Sequence, residues 1–208
     1  MRPWLNWIEH LATDQKVAGS SPAGRMFFYI IRTYQLCSFH SIADVLIRRT
    51  SMKVLIAYYS QTGTTKKMAE IIADEVKNSG CSAELKSVSE VKAEELLGYD
   101  GIIVGSPTYY GTLAAQIKEL FDKSVAFHGQ LDGKLGAAFS SAANIGGGNE
   151  TTILSILEAM LIHGMIIQGD FKGDHYGPVA IGKDDKRSED NCRRSAQRFC
   201  KLLKKVSD

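Results

Sequence analysis

Residues 52–208 predict an α/β fold, a five-stranded parallel sheet covered by helices on both faces, on three observations. The strand-like runs are nearly continuous in apolar residues rather than alternating, as strands buried on both sides require. Helix-patterned stretches separate them, giving repeated βα units joined by right-handed crossovers. Loops rich in glycine and hydroxyl residues follow three of the strands, at the carboxyl ends where a doubly wound sheet binds its ligand.

The elements follow in order. Lys53 to Tyr59 is apolar and β-rich, and reads as a central first strand. Ser60 to Thr65 forms a polar turn. Met68, Ala69, Ile71, Ile72 and Val76 then recur at helical spacing until Asn78-Ser79-Gly80 ends the helix. Cys81 to Val88 is a polar, edge-like second strand, followed by a short helix around Val91 to Leu97. Gly101 to Gly105 is the third strand, with a loop from Ser106 to Thr112 and a helix through Ile117, Leu120 and Phe121. Gly136 to Ser140 opens the fourth strand, which leads through a glycine-rich loop into a helix from about Thr151 to Ile162. Met165-Ile166-Ile167 is the last strand. The final helix places Cys192, Ala196, Phe199, Leu203 and Val206 on one face, and leaves Arg193, Arg194, Arg198, Lys201, Lys204 and Lys205 to solvent.

Charge and cysteine usage exclude several classes. The formal charge of +2 arises in residues 1–51, where six basic side chains stand against three acidic ones; subtracting these from 25 and 23 leaves 19 against 20, or −1. That balance gives no reason to expect a nucleic-acid partner. No apolar stretch approaches the roughly 20 residues of a membrane span. Cys37, Cys81, Cys192 and Cys200 form no CxxC pair and no ligand-like cluster with histidine, so a zinc or iron–sulfur site is not expected. Reduced thiols in a cytoplasmic protein are the reading, with Cys192 and Cys200 as packing residues.

Residues 1–51 lack sustained periodicity and hold both tryptophans, Trp4 and Trp7. Glu9, Asp14 and the lack of a continuous apolar core argue against a targeting peptide. Ala18-Gly19-Ser20-Ser21-Pro22-Ala23 can be encoded by a string in which GCAGG and CCTGC enclose TTCGAGT, which resembles the T-arm of a transfer-RNA gene. Residues 1–51 are therefore expected to be a non-native or disordered extension from an over-extended reading frame, with the natural start at Met52. A peptide from this segment in the native proteome would overturn that.

Three loops carry the chemistry. Ser60-Gln61-Thr62-Gly63-Thr64-Thr65 offers four hydroxyls and a run of backbone N–H groups at a helix N-terminus, which can bind a phosphate without a cation. Helix capping is the competing reading, although capping needs one hydroxyl. GxxxxGK[ST] is absent and no GxGxxG follows the first strand, so two nucleotide loops are excluded. The strand ends in Tyr58-Tyr59-Ser60, without the acidic residue of a phosphorylated receiver. Ser106-Pro107-Thr108-Tyr109-Tyr110-Gly111-Thr112 supplies aromatic faces and backbone hydrogen-bonding groups, which an isoalloxazine ring needs for its plane and its edge. Ser141-Ala142-Ala143-Asn144-Ile145-Gly146-Gly147-Gly148 lets backbone approach a flat ligand closely.

At these residues the sequence resembles a known family. Ile56 to Ile72, with Tyr58, Ser60, Gly63, Thr65, Ala69 and Ile72, is similar to the flavodoxin phosphate-loop signature; Ala57 departs from its usual bulkier residue. Gly105 to Gly111, Phe139-Ser140-Ser141, Gly146 to Thr152 and His163 to Ile167 resemble the WrbA type of NAD(P)H:quinone oxidoreductase. The resemblance implies a flavodoxin-like three-layer sandwich of strand order 2-1-3-4-5 that binds FMN. It implies that Ser60 through Thr65 hold the phosphate, that Thr108, Tyr109 and Tyr110, with Pro107 and Gly111, border the ring, and that Ser141, Ala142, Asn144, Ile145, Gly146 and Gly147 close over its other edge. The family's flavin-contacting histidine falls at Ile162 and its nicotinamide-contacting tyrosine at Thr62. Its substrate-side tryptophan has Phe127 or His128 nearby, and the long insertion between the second and third strands is missing. His175 reads as an ordinary surface histidine, with proton donation to reduced flavin as the competing reading, and His163 as a helix-dipole partner.

FMN carries its own redox chemistry, so no catalytic side chain and no metal is expected. The favoured expectation is an enzyme in which NADH or NADPH reduces FMN and a quinone accepts two electrons, working as a homo-oligomer, dimer or tetramer. The alternative is a flavodoxin that carries electrons between protein partners. Such carriers are strongly acidic, and the −1 balance lacks an acidic cluster.

Overall fold

The computed structural model describes residues 51–183 and 185–207, so expectations for the extension lie, Ser51 apart, outside the described residues. Residues Thr50–Asp208 form one compact unit. Five strands, β1 (Lys53–Tyr58), β2 (Ser82–Ser87), β3 (Gly101–Pro107), β4 (Leu135–Ala142) and β5 (Ile166–Ile167), are parallel in the order β2-β1-β3-β4-β5. The helices are α1 (Thr64–Asn78), α2 (Ala115–Ser124), α3 (Asn149–Ile162) and α4 (Lys186–Ser207).

The continuous apolar strands divide between two cores because successive side chains point to opposite faces. Leu55, Ala57, Ile102 and Val104 join α2 and α3 through Ile117, Phe121, Ile153 and Ile156. Val54, Ile56, Ile103 and Phe139 join α1 and α4 through Met68, Ile72, Phe199 and Leu203. The result is the expected three-layer sandwich. Register makes one glycine obligatory: Gly105 lies opposite Phe139, and a Cβ there would sit 2.0 Å from the Phe139 ring, which is fully buried.

The structure differs from the sequence reading in three places. The fifth position of the sheet is held by two segments, since β6 (Val179–Ile181) pairs with the end of β4 while β5 pairs with its start. Residues 168–178, punctuated by Gly169, Gly173, Gly177 and Pro178, loop out between them. Val91 to Leu97 forms no α-helix; two 3-10 turns, Val88–Glu90 and Ala93–Gly98, replace it. Val206 is 44% exposed, so the buried face of α4 ends at Leu203. Only residues 88–100 separate β2 from β3, consistent with the missing insertion.

Cys81, Cys192 and Cys200 are buried thiols outside any disulfide, and burial together with the neighbouring Cys81 pushes the Cys200 thiol up to about 12. Cys37 lies outside the described residues. No helix among the described residues is long and apolar enough to cross a membrane.

Candidate functional site

Helix α1 starts at Gly63, whose φ of 100° turns the chain sharply after β1, and no side chain caps it. Its first N–H groups have no intrahelical acceptor, as at any helix start. The hydroxyls beside them are engaged elsewhere. Ser60 Oγ accepts from Gly63 N–H at 3.1 Å, Thr64 Oγ1 donates to the Gly182 carbonyl at 3.3 Å, and Thr65 Oγ1 bonds Ser141 Oγ at 2.9 Å. The capping reading of this loop therefore fails. An uncapped helix N-terminus with no acidic residue in its first turn favours an anion.

Thr64 and Thr65, the first residues of α1, line a concavity of about 320 Å³ at the carboxyl ends of β1, β3 and β4. Of the residues singled out from the sequence, Gln61, Thr62, Thr64, Thr65, Pro107, Thr108, Tyr109, Ser141 and Ala142 line it. Its wall carries no formal charge; Tyr109 is the one acidic hydrogen there, and burial, then Tyr59, raises its pKa. Thr108 N–H donates to the Ser141 carbonyl at 2.7 Å, which ties the second loop to the third. Tyr109 OH donates to Gln61 Oε1 at 2.9 Å, bridging the first and second loops, and its ring meets that of Tyr59 edge-on.

Ser60, Gly63, Tyr110, Gly111, Asn144, Ile145, Gly146 and Gly147 do not line the concavity, although they belong to the same three loops. Tyr109 and Thr112 exchange backbone hydrogen bonds at 3.0 and 3.1 Å, closing a two-residue hairpin turn. Its central residues, Tyr110 and Gly111, have φ of 50° and 80°, as a type I′ turn requires. Tyr110 is thus the sole non-glycine residue with positive φ among the described residues, and its side chain is fully exposed. Ile145, 84% exposed, stands on the third loop. At Gly148 a Cβ would lie 2.6 Å from Gly111 Cα, so the second and third loops close on one another only with glycine there.

Ala143, part of the third loop, also lines the concavity, and sequence reasoning missed Gly182. Gly182 follows β6, a strand of three residues, and its N–H donates to the Ala142 carbonyl at 2.7 Å. A three-residue strand behind a Gly-Pro pair gives almost no periodic signal; the apolar run Val179 to Ile181 was the one clue.

Other assignments change. His175 lines separate hollows beside residues 168–178, and its Nδ1 is 2.8 Å from the Asp170 carbonyl, so a proton-donor role in the concavity finds no support in its placement. His163 does not act as a charged dipole partner. Its Nε2 is 2.8 Å from Ser124 Oγ, which itself donates to the Phe121 carbonyl, so His163 must be the donor. Its buried Nδ1 has no partner, and burial, then His128, lowers its pKa. Ile162 ends α3, and Phe127 and His128 follow α2; both helices run back from the strand ends, so these residues lie at the opposite end of the sheet from the concavity. Within one chain they do not meet it.

The fold and this uncharged cradle at a helix N-terminus define a flavodoxin-like α/β protein. The flavodoxin domain family matches residues 55–145. A flavodoxin of Aquifex aeolicus is 39% identical over 160 residues, covering 73% of this chain and 86% of that protein. An NAD(P)H dehydrogenase (quinone) of Sinorhizobium fredii is 35% identical over 183 residues, covering 71% of this chain and 92% of its own. Among solved structures, a WrbA-like flavodoxin from Agrobacterium tumefaciens superposes with a TM-score of 0.64 at 22% identity, over 75% of this chain and 99% of that one. The chain belongs to the flavodoxin family, and its relatives include proteins named flavodoxin and proteins named NAD(P)H dehydrogenase (quinone).

Proposed function

We propose that this chain binds FMN and uses it as an NAD(P)H-dependent oxidoreductase that delivers two electrons to a quinone. The observation that carries FMN binding is the uncapped start of α1 opening onto a neutral concavity walled by Tyr109. The N–H groups of Thr64 and Thr65, with the hydroxyls of Ser60 and Thr62, would hold the phosphate, and Gln61 and Gly63 would shape its loop. Pro107, Thr108, Tyr109, Tyr110 and Gly111 would border the ring. Ser141, Ala142, Ala143 and Gly182 would form the floor, and Asn144, Ile145, Gly146 and Gly147 the opposing rim. When bound, FMN supplies hydride acceptance from a nicotinamide and electron transfer to an acceptor; the protein's residues bind, orient and exclude water.

Quinone reduction is supported by the quinone-dehydrogenase relatives and by a rim of Tyr110 and Ile145 that suits a flat apolar acceptor. A carrier of single electrons is the second reading, supported by the flavodoxin relatives. Buried reduced thiols fit a cytoplasmic setting. Exposed Val125, Leu161 and Ile162 at the far end of the sheet suit contact in a homo-oligomer, dimer or tetramer.

The test uses the full chain loaded with FMN, with oxidation of NADH and of NADPH followed with and without a water-soluble quinone. Quinone-dependent turnover supports the enzyme. No turnover with either nucleotide, with FMN retained, leaves the carrier. A protein that does not retain FMN removes both.

A further inference from the structure

On the flank of the molecule, α4 presents Arg194, Arg198, Lys201 and Lys205 at intervals of four, three and four residues, which is one helical stripe. Residues 168–178 pack beside it. Asp170 takes both Arg194 hydrogen bonds at 2.8 Å and lies 3.4 Å from Arg198, and the two guanidinium groups stand 5.5 and 5.6 Å from the Phe171 ring. Two cations thereby brace an aromatic ring that is 81% exposed, at the tip of a loop, with Lys172 next to it. Further along, Gln168, Arg198, Lys201, Leu202 and Lys205 enclose an open groove of about 240 Å³, and half-exposed Val206 follows Leu202 by one turn.

The patch holds five cations, Lys172, Arg194, Arg198, Lys201 and Lys205, against the single carboxylate of Asp170, a net +4 on a domain whose overall charge after position 51 is −1. Asp190, one turn above Arg194, bounds it. The packing of this fold does not require Phe171 to be exposed, because the cores close without it. An exposed aromatic ring and aliphatic side chains set among basic groups, rather than basic groups alone, are the composition of a surface that adsorbs to lipid headgroups.

We propose that this flank docks on an anionic phospholipid bilayer surface, with Phe171 entering the headgroup layer and Lys172, Arg198, Lys201 and Lys205 meeting lipid phosphates. The docking is peripheral and lateral, and leaves the strand ends, where the concavity opens, clear of the contact. Its purpose rests on the quinone-reductase reading, since quinones with apolar tails reside in bilayers. The docking itself rests on charge and exposed apolar surface alone.

The experiment is co-sedimentation of the full FMN-loaded chain with vesicles of phosphatidylcholine, with and without a third of phosphatidylglycerol, at low and high salt. Binding should appear with the anionic vesicles alone and fall as the screening length shortens from about 10 Å toward 3 Å. The double variant Lys201→Gln/Lys205→Gln should bind about thirtyfold more weakly, from two lost headgroup attractions. Phe171→Ser should weaken binding while leaving FMN retention and thermal unfolding unchanged. Absence of anionic-vesicle binding, or binding indifferent to all three substitutions, overturns the proposal. So does capture by a DNA duplex with no partition onto vesicles, which would make the patch a general polyanion site. If the protein turns over a water-soluble quinone yet stays in the supernatant, docking falls alone; if it binds vesicles and turns over no quinone, docking stands and the enzyme reading falls.

Discussion

Tyr110 separates folding from function more cleanly than any other residue at the rim. It holds a φ of 50°, where a side chain other than glycine costs about 1–2 kcal/mol. Its ring is fully exposed, so it returns no packing energy to the ligand-free fold. Replacing it with glycine removes that strain but adds about 0.5–1 kcal/mol of chain entropy lost on folding. Tyr110→Gly should therefore leave the stability of the FMN-free protein unchanged or raise it by about 1 kcal/mol, read as the midpoint of urea denaturation at constant slope. If the ring borders the isoalloxazine, its loss removes a stacking contact of about 1–3 kcal/mol, by analogy with aromatic stacking on bases. That corresponds to FMN binding roughly 5- to 150-fold weaker in a fluorescence titration. Tyr110→Asn, which tolerates the same backbone, should behave alike. A destabilised FMN-free protein with unchanged FMN affinity would refute the reasoning, because it would show that the ring serves the fold and not the ligand.

Other substitutions test the core and the cradle. Gly105→Ala places a Cβ about 2.0 Å from the Phe139 ring and should destabilise by about 1–3 kcal/mol, with partial rescue by Phe139→Leu in thermal melts. Thr65→Val leaves the buried Ser141 hydroxyl without its partner at 2.9 Å, and a loss of about 1–3 kcal/mol is expected by denaturation, accompanied by weaker FMN binding. For His163 the folded pKa lies below the unfolded value of about 6.5, so the unfolded chain takes up the proton first as pH falls. Its contribution to stability is complete above that value and declines below it toward the folded pKa. His163→Gln, which can still donate to Ser124, should flatten that part of the stability–pH curve, and an unchanged slope would exclude His163 as its source.

How far the sequence carried depends on what encodes each feature. Strands β1 and β3 were legible because Val54 to Ala57 and Ile102 to Val104 must be apolar at every position to serve two cores, and few other structures demand that. Strand β6 was not legible: Val179 to Ile181 is too short for a period to emerge, and it exists because its neighbour β4 offers free backbone groups. The same distinction runs through the site. Ser60 to Thr65 announced an anion loop by composition, but composition could not tell capping from binding. The left-handed turn at Gly63 starts α1 on a residue with no side chain to cap it, which removes the capping reading and leaves the binding reading to experiment. Gly182 entered the lining from outside the three loops, at a φ of 71° that favours glycine. The concavity is walled by uncharged residues drawn from four separate segments of the chain. The relatives include proteins named flavodoxin and proteins named NAD(P)H dehydrogenase (quinone), and the place to test for a difference in function is in exposed side chains such as Tyr110 and Ile145 that the fold itself does not need.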